Sequence, residues 1–154
     1  MQPTIHRLLG LEASERITVH YLKSASRQQY EQLTEYYPQK GKPSRGRTFT
    51  FSHGIVGQCF KTIHKMCWAV PDGKKFEEAM QDRWSFSQDE LVKLTQDRRS
   101  FMVYPLGQKG SYAKAVLYLD SPKTDRFTEA NCQNHLGIIE NYFLDQLNEA
   151  LRRT

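Results

Sequence analysis

The stretch FMVYPL at residues 101–106, followed after a turn by AKAVLYLD at residues 113–120, predicts two paired β-strands. The first segment is apolar at almost every position, as a strand covered on both faces is. The second alternates, so one face should carry its apolar residues: Ala113, Ala115, Leu117 and Leu119. The intervening turn, Lys109-Gly110-Ser111, favours an antiparallel hairpin.

A long helix is predicted at the C-terminal end of the chain. Thr128 suits its N-cap, because a threonine hydroxyl accepts an unpaired backbone N–H of the first turn. We expect the helix to run to about Arg153, with Glu129 and Arg152 placed as the helix dipole favours. Its apolar stripe, at helical spacing, consists of Leu136, Ile139, Phe143, Leu147 and Leu151.

Upstream of the hairpin, the pattern predicts a brief helix at residues 5–11 and then four more strands. These strands are expected at residues 16–22, 30–37, 48–51 and 66–70. Pro38 should end the second, and the fourth is apolar enough to be buried. In the first, Ile17 and Val19 should share one face with Tyr21, which leaves Thr18 and His20 on the other.

Two further helices are predicted between these strands and the hairpin. Ser52 is the expected N-cap of the first, and Gly54 and Gly57 indicate a close approach to another backbone. Ser87 and Glu90 have the spacing of a capping box at the start of the second. Residues 74–86 are charged, and we expect them to be irregular.

The composition is that of a globular protein, with 154 residues of which 38% are hydrophobic and 25% charged. No apolar run approaches the ~20 residues that span a bilayer, and no signal peptide is evident, so we expect a cytoplasmic protein. The three cysteines are few, odd in number and widely spaced, which favours reduced thiols.

The net charge of +5 favours an anionic ligand, a nucleic acid or a membrane surface. The densest basic cluster, at residues 40–47, contains Gly, Pro and Ser and is interpreted as a solvated loop. Because nucleic-acid surfaces usually repeat such basic patches, we do not expect a nucleic-acid partner.

Three stretches, in this order and spacing, resemble the GAF family of small-molecule sensor domains. They are GIVGQCF at residues 54–60, RSFMVYPL at residues 99–106, and AVLYLD at residues 115–120 followed by Phe127-Thr128 and the final helix. The likeness covers residues 15–150, roughly, of a single domain at 1–154. It implies an α+β, PAS-like fold, in which helices flank an antiparallel sheet of about six strands. It also implies a ligand pocket, frequent dimerisation through terminal helices and signalling to an output domain.

Several chemistries known on this scaffold need residues that the sequence does not supply. Free methionine sulfoxide reductases of the family carry a reactive cysteine in the region matched by residues 76–100, which contains none. Bilin attachment often uses a cysteine followed by histidine, and no such pair occurs. The nucleotide-binding signature is only faintly echoed at residues 74–78. No metal-ligand motif is present, and no cofactor is indicated.

The leading hypothesis is therefore a regulatory sensory domain, not an enzyme, that binds an anionic or nucleotide-like small molecule. The candidate pocket residues are Phe51, Cys67, Trp68, Arg99, Met102, Tyr104 and Tyr118. The aromatic residues would form apolar walls, and Arg99 would orient an anionic or carbonyl group. Two alternatives stay open. One is a ligand-free dimerisation or protein-interaction domain that uses the C-terminal stripe, and the other is a thiol-dependent reductase that uses Cys67 or Cys59.

Overall fold

A six-stranded antiparallel sheet forms the centre of the part of the chain that the computed structural model describes, residues 1–38, 41–94 and 97–153. The strand order is β3-β2-β1-β6-β5-β4. The strands are β1 (Arg16–Ser24), β2 (Gln29–Gln32), β3 (Thr48–Thr50), β4 (Met66–Ala69), β5 (Ser100–Lys109) and β6 (Tyr112–Ser121). The helices of these residues are α1 (Gln2–Leu8), α2 (Gly54–Thr62), α3 (Phe76–Trp84), α4 (Gln88–Leu91), α5 (Glu129–Tyr142) and α6 (Leu144–Arg152). The α+β class and the antiparallel sheet are thereby confirmed, while Lys40 of the basic loop lies outside the described residues.

The predicted hairpin is the centre of this sheet. β5 and β6 pair antiparallel along their whole length, from Ser100 opposite Ser121 to Lys109 opposite Tyr112. Gly110, with φ of +61°, makes the tight turn between them. β1 then pairs with the other edge of β6, so that these three strands form the middle of the layer.

The two faces of the sheet are covered by different helices. On one face, which we call the terminal-helix face, a cluster of buried residues joins β1, β5 and β6 to α1, α5 and α6. On the other, which we call the cavity face, a second cluster joins the sheet to α2 and α3. Ile17 and Val19 point to the terminal-helix face as predicted, with Leu117 and Leu119, whereas Ala113 belongs to the other cluster.

The C-terminal helix is capped where the sequence predicts but is divided in two. The Thr128 hydroxyl accepts a hydrogen bond from the Asn131 N–H, and the Asn131 side-chain oxygen accepts one from the Thr128 N–H. The prediction of one continuous helix to about Arg153 is wrong, because the backbone at Phe143 departs from helical geometry and separates α5 from α6. The apolar stripe is nevertheless buried against the sheet throughout. Among the described residues, no helix is long and apolar enough to cross a membrane.

Four local expectations are wrong. β2 ends at Gln32, and the chain beyond it meets β1 through single hydrogen bonds and an isolated bridge between Tyr37 and Ile17 rather than as a strand. The charged residues predicted as irregular form helix α3. β4 is an edge strand with half-buried residues rather than a buried strand. His53, not Ser52, precedes the first turn of α2, and the Ser52 hydroxyl accepts a bond from Thr50 instead.

The glycines of α2 do mark a close approach, as predicted. A Cβ on Gly57 would lie 2.6 Å from the backbone oxygen of Phe51. Gly54, with φ of +80°, has the Phe86 ring against it. Only glycine allows α2 to lie this near the chain that enters it.

The cysteines correct the expectation of reduced thiols. Cys67 on β4 and Cys132 on α5 form a disulfide, with Cα atoms 5.9 Å apart, a separation that such a bridge requires. The register places Cys67 opposite Met102, on the terminal-helix face, where α5 passes over the edge strand. Cys59 of α2 is a free, buried thiol.

Candidate functional site

A cavity of about 550 Å³ lies between the cavity face of the sheet and helices α2 to α4. Strands β1, β5 and β6 supply its floor, and β3 with the segment after α3 supplies its walls. The volume falls in the range of sites that hold small molecules, which is roughly 300–1,000 Å³.

Aromatic side chains from eight positions line this cavity. They come from strands β2, β3, β5 and β6, from α3 and from two connecting segments, and they give the cavity apolar walls: Tyr30, Tyr36, Phe49, Phe76, Trp84, Phe86, Phe101 and Tyr118. Several are already stacked on one another, as Tyr30 is on Phe49 with ring centroids 5.2 Å apart. Pre-stacked rings need little reordering when a flat molecule enters.

The charges that line the cavity are predominantly positive. Arg16, Arg47, Lys93 and Arg98 contribute cationic groups, whereas Glu90 is the only carboxylate among the described lining residues. Asp120 lies behind Arg16 and Arg98, and Asp97 also pairs with Arg98, so these two carboxylates offset part of the positive charge. The remaining excess favours an anion over a cation as an occupant.

An ion cluster closes one end of the floor, where β1 and β6 pair. Arg16 donates to both carboxylate oxygens of the fully buried Asp120, at 2.9 and 2.6 Å. Arg98 Nη1 lies 3.3 Å from the same carboxylate and donates to the Ser14 carbonyl oxygen. Tyr118 donates its hydroxyl to Asp120 at 3.0 Å. Burial, and then the Asp120 charge, raise the pKa of Tyr118 well above its ordinary value, so the phenol stays a donor.

His20 lies toward the other end of the same floor. The register sets Arg16 opposite Asp120, and His20 opposite Val116 four residues further along β1. The His20 ring meets the edges of Tyr30, Phe49 and Tyr118, with centroids 5.3 to 5.9 Å away. Its Nδ1 is buried and has no hydrogen-bond partner in the described part of the chain.

The capping box predicted at Ser87 forms one wall of the cavity. Glu90 accepts the Ser87 N–H with one oxygen, and its other oxygen lies 3.0 Å from His53 Nδ1. Hydrogen bonding to Ser87, first through its backbone and then through its side chain, holds the pKa of Glu90 below its ordinary value. His53 also stacks on Phe86. The start of α4 is thus tied to the start of α2 beside the cavity.

Neither a protein-family model nor a curated protein matches the sequence. Solved structures do resemble it. The GAF domain of a two-component sensor histidine kinase from Bacillus halodurans gives a TM-score of 0.62 at 15% identity, over 96% of this chain and 90% of that one. The GAF domain of phosphoenolpyruvate-protein phosphotransferase from Acinetobacter gives 0.61 at 13% identity, over 99% and 78%. The fold of this chain is GAF-like.

The GAF-like fold is shared by proteins of different function. A type II free methionine-R-sulfoxide reductase from Thermoplasma acidophilum matches with a TM-score of 0.59 at 11% identity, over 97% of this chain and 89% of that one. Because regulatory domains and an enzyme share the fold, the fold alone does not separate sensing from catalysis. The distinction between a sensory domain and an enzyme therefore rests on the side chains that line the cavity.

The GAF-like sheet distributes the candidate residues over both faces. Tyr118 lines the cavity. Trp68 lies on the cavity face, stacked on Phe101 and edge-on to the cavity residue Trp84. Phe51 packs in the same cluster, and Arg99 donates to the Lys74 carbonyl oxygen rather than lining the cavity.

The other three candidates lie on the terminal-helix face, away from the cavity. Met102 and Tyr104 pack with α5 and α6, and Cys67 is bonded to Cys132 there. Tyr104 donates its hydroxyl to Glu140 of α5. Strand β5 is buried on both faces, so its sequence does not say which of its alternate positions face the cavity.

Sequence reasoning missed the charged and polar residues of the cavity, and it missed seven of the eight aromatic ones. The alternation of β1 separated His20 from Ile17 but did not show that its face bordered a cavity. Arg16 and Asp120 are 104 residues apart, and only the strand register brings them together. All three cysteines lie within the described residues and none lines the cavity. Nor do those residues hold a cluster of three potential metal ligands.

Proposed function

We propose that this chain is a regulatory sensory domain that binds a small anionic molecule with a planar apolar part. The proposed site is the cavity between the sheet and helices α2 to α4. The proposal includes a single domain over residues 1–154 and transmission of the bound state to a partner or a fused output domain. The observation that carries it is the combination of eight aromatic and four cationic side chains around one cavity.

Charge supports the anionic part of the proposal. Arg16 and Arg98 share the buried carboxylate of Asp120, and Arg98 also pairs with Asp97, whose side chain is 62% exposed, so that water screens this second pair. The positive charge that no carboxylate offsets is therefore carried mainly by the other two cations of the cavity. Arg47 and Lys93 lie nearer to solvent on other walls. An anion near such groups gains roughly 0.2–1 kcal/mol for each exposed partner, and more where water is excluded.

The positions of the sulfur atoms argue against thiol-dependent reduction in this cavity. Such chemistry needs a thiolate at the substrate. Cys67 and Cys132 are bonded to each other on the terminal-helix face. Burial raises the pKa of the Cys59 thiol, which keeps it protonated and away from solvent. The sensory interpretation needs no thiol and therefore fits the described residues better.

Two matched fluorescent probes test the proposal. 8-Anilinonaphthalene-1-sulfonate is an aromatic anion, and N-phenyl-1-naphthylamine is the same skeleton without the sulfonate. We expect the sulfonate to bind about tenfold more tightly, a ratio that corresponds to about 1.4 kcal/mol. Energy transfer from tryptophan reports binding, because Trp84 lines the cavity and Trp68 contacts Trp84.

A pair of double variants controls for overall charge. Arg47→Gln with Lys93→Gln removes two cations that line the cavity. Arg152→Gln with Arg153→Gln removes two exposed cations from α6. The first pair should weaken sulfonate binding about tenfold, at about 0.7 kcal/mol for each charge, and leave the neutral probe unchanged. Equal binding of both probes, or equal effects of both double variants, would refute an anion-selective cavity.

A further inference from the structure

The His20 imidazole is an unexplained polar group in the floor of the cavity. Only 4% of the residue is exposed, and it is one of the residues that line the cavity. Its Nδ1 has no hydrogen-bond partner within the described residues. Buried polar atoms almost always have a partner, so each exception calls for an explanation.

The surroundings of His20 keep its ring neutral. Burial, and then the charge of Arg47, lower the pKa of His20 to about 3. The rings that face it belong to Tyr30, Phe49 and Tyr118, and none of them carries charge at neutral pH. A neutral imidazole offers one N–H donor and one lone pair. It therefore recognises a ligand through a hydrogen bond and not through an ion pair.

The distance between His20 and the ion cluster sets the length of a ligand that meets both. Arg16 and His20 stand on the same face of β1, four residues apart, which is about 13 Å along a strand. Side chains that lean into the cavity from both ends shorten the span that a ligand has to bridge. A fused ring system that carries a short acidic side chain can bridge this shortened span between His20 and the ion cluster.

We propose that the cavity selects an elongated heteroaromatic anion, whose ring nitrogen or oxygen hydrogen-bonds to His20 while its acidic group lies toward Arg16 and Arg98. This inference rests on the proposed function of the cavity as an anion-binding site. It adds the chemical class of the ligand and identifies His20 as the residue that hydrogen-bonds to the ligand's ring. The stacked Tyr30 and Phe49 next to His20 suit a flat ring. A histidine that served only to fill space would not distinguish a heteroatom from a carbon.

The test uses three probes of equal length that differ in one ring. These are 3-(quinolin-6-yl)propanoate, which offers a ring acceptor, 3-(indol-5-yl)propanoate, which offers a ring N–H, and 3-(naphthalen-2-yl)propanoate, which offers neither. Isothermal titration calorimetry is run on the wild type, on His20→Phe and on His20→Gln. Near-UV circular dichroism establishes that each variant keeps its packed aromatic core.

We expect one heteroaromatic probe to bind the wild type at least tenfold more tightly than the naphthyl probe. His20→Phe should abolish that preference without weakening the naphthyl probe, and His20→Gln should retain part of it because an amide also donates and accepts. The absence of a preference in the wild type, or an unchanged preference in His20→Phe, would overturn the inference.

The anilinonaphthalene sulfonate titration separates failure of this inference from failure of the proposed function. If the sulfonate binds in the cavity and none of the three propanoates does, the heteroaromatic class is wrong and the anion-binding cavity stands. If the sulfonate does not bind either, the proposed function fails and this inference fails with it.

Discussion

Breaking the Cys67–Cys132 disulfide should lower the stability of this protein substantially. The bridge closes a segment with a sequence separation of 65. In the chain-entropy description, a loop of that length restricts the unfolded chain by about 4 kcal/mol at 25 °C. Strain and residual structure in the unfolded chain reduce such values, so about 2–4 kcal/mol is expected.

Urea unfolding, followed by tryptophan fluorescence, measures this difference. Wild type is compared with and without a phosphine reductant, and Cys67→Ala with Cys132→Ala serves as the control that the reductant should not affect. With a slope of about 2 kcal/mol per molar urea, the midpoint should fall by about 1–2 M on reduction. Both tryptophans lie on the cavity side, so the same signal reports whether β4 loosens.

Two results would refute this reasoning. One is an unchanged urea midpoint after reduction, which would mean that the bridge does not restrict the unfolded chain. The other is alkylation of Cys67 and Cys132 in the folded, unreduced protein, detected by peptide mapping, which would mean that no bridge forms.

Three further outcomes are expected. Gly57→Ala should destabilise the protein by about 2–3 kcal/mol in thermal unfolding, because the new Cβ would lie 2.6 Å from the Phe51 backbone oxygen. Gly137→Ala is the matched control, since a Cβ at this helix position would meet nothing within 4 Å. It should stabilise the protein by up to about 1 kcal/mol. Iodoacetamide should label Cys59 only as fast as the protein opens, because burial raises the pKa of its thiol; rapid labelling in native buffer would contradict this. Below pH 6.5 His20 is protonated in the unfolded chain but not in the folded protein, where its pKa is about 3. The free energy of unfolding of the wild type should therefore fall, relative to that of His20→Phe, by up to about 1.4 kcal/mol per pH unit between pH 6.5 and 3. Parallel stability profiles of the two proteins in urea titrations would show that the ring is not held neutral.

The parts of the fold that the sequence predicted are those with a local signal. The turn at Gly110 and the alternation of β6 from Ala115 to Leu119 are set by neighbours along the chain, and the structure has both. The Thr128 cap is local in the same sense. The sequence also contains a local indication of helix α3 that the prediction did not use. Phe76, Met80 and Trp84 are spaced four residues apart, as the buried face of a helix requires, and all three are buried.

Features that depend on contacts distant in sequence were not predictable. The pairing of Cys67 with Cys132 requires α5 to lie over β4, and nothing near either cysteine indicates that. Nothing in the sequence around Phe143 explains the break between α5 and α6. The cavity itself was predicted, but its lining depends on which face of the sheet α2 and α3 cover. Of the candidate residues, Tyr118 lines the cavity, whereas Met102 and Tyr104 pack on the terminal-helix face.

The most direct test of the account is to locate a bound aromatic anion by methyl NMR. Titration of the labelled protein with anilinonaphthalene sulfonate should shift the methyl signals of the cavity residues Val56, Met80 and Leu94. The methyl signals of Ile139 and Leu147 on the terminal-helix face should remain in place. Shifts confined to Ile139 and Leu147 would place binding on the wrong side of the sheet and contradict the proposal that this cavity is the ligand site.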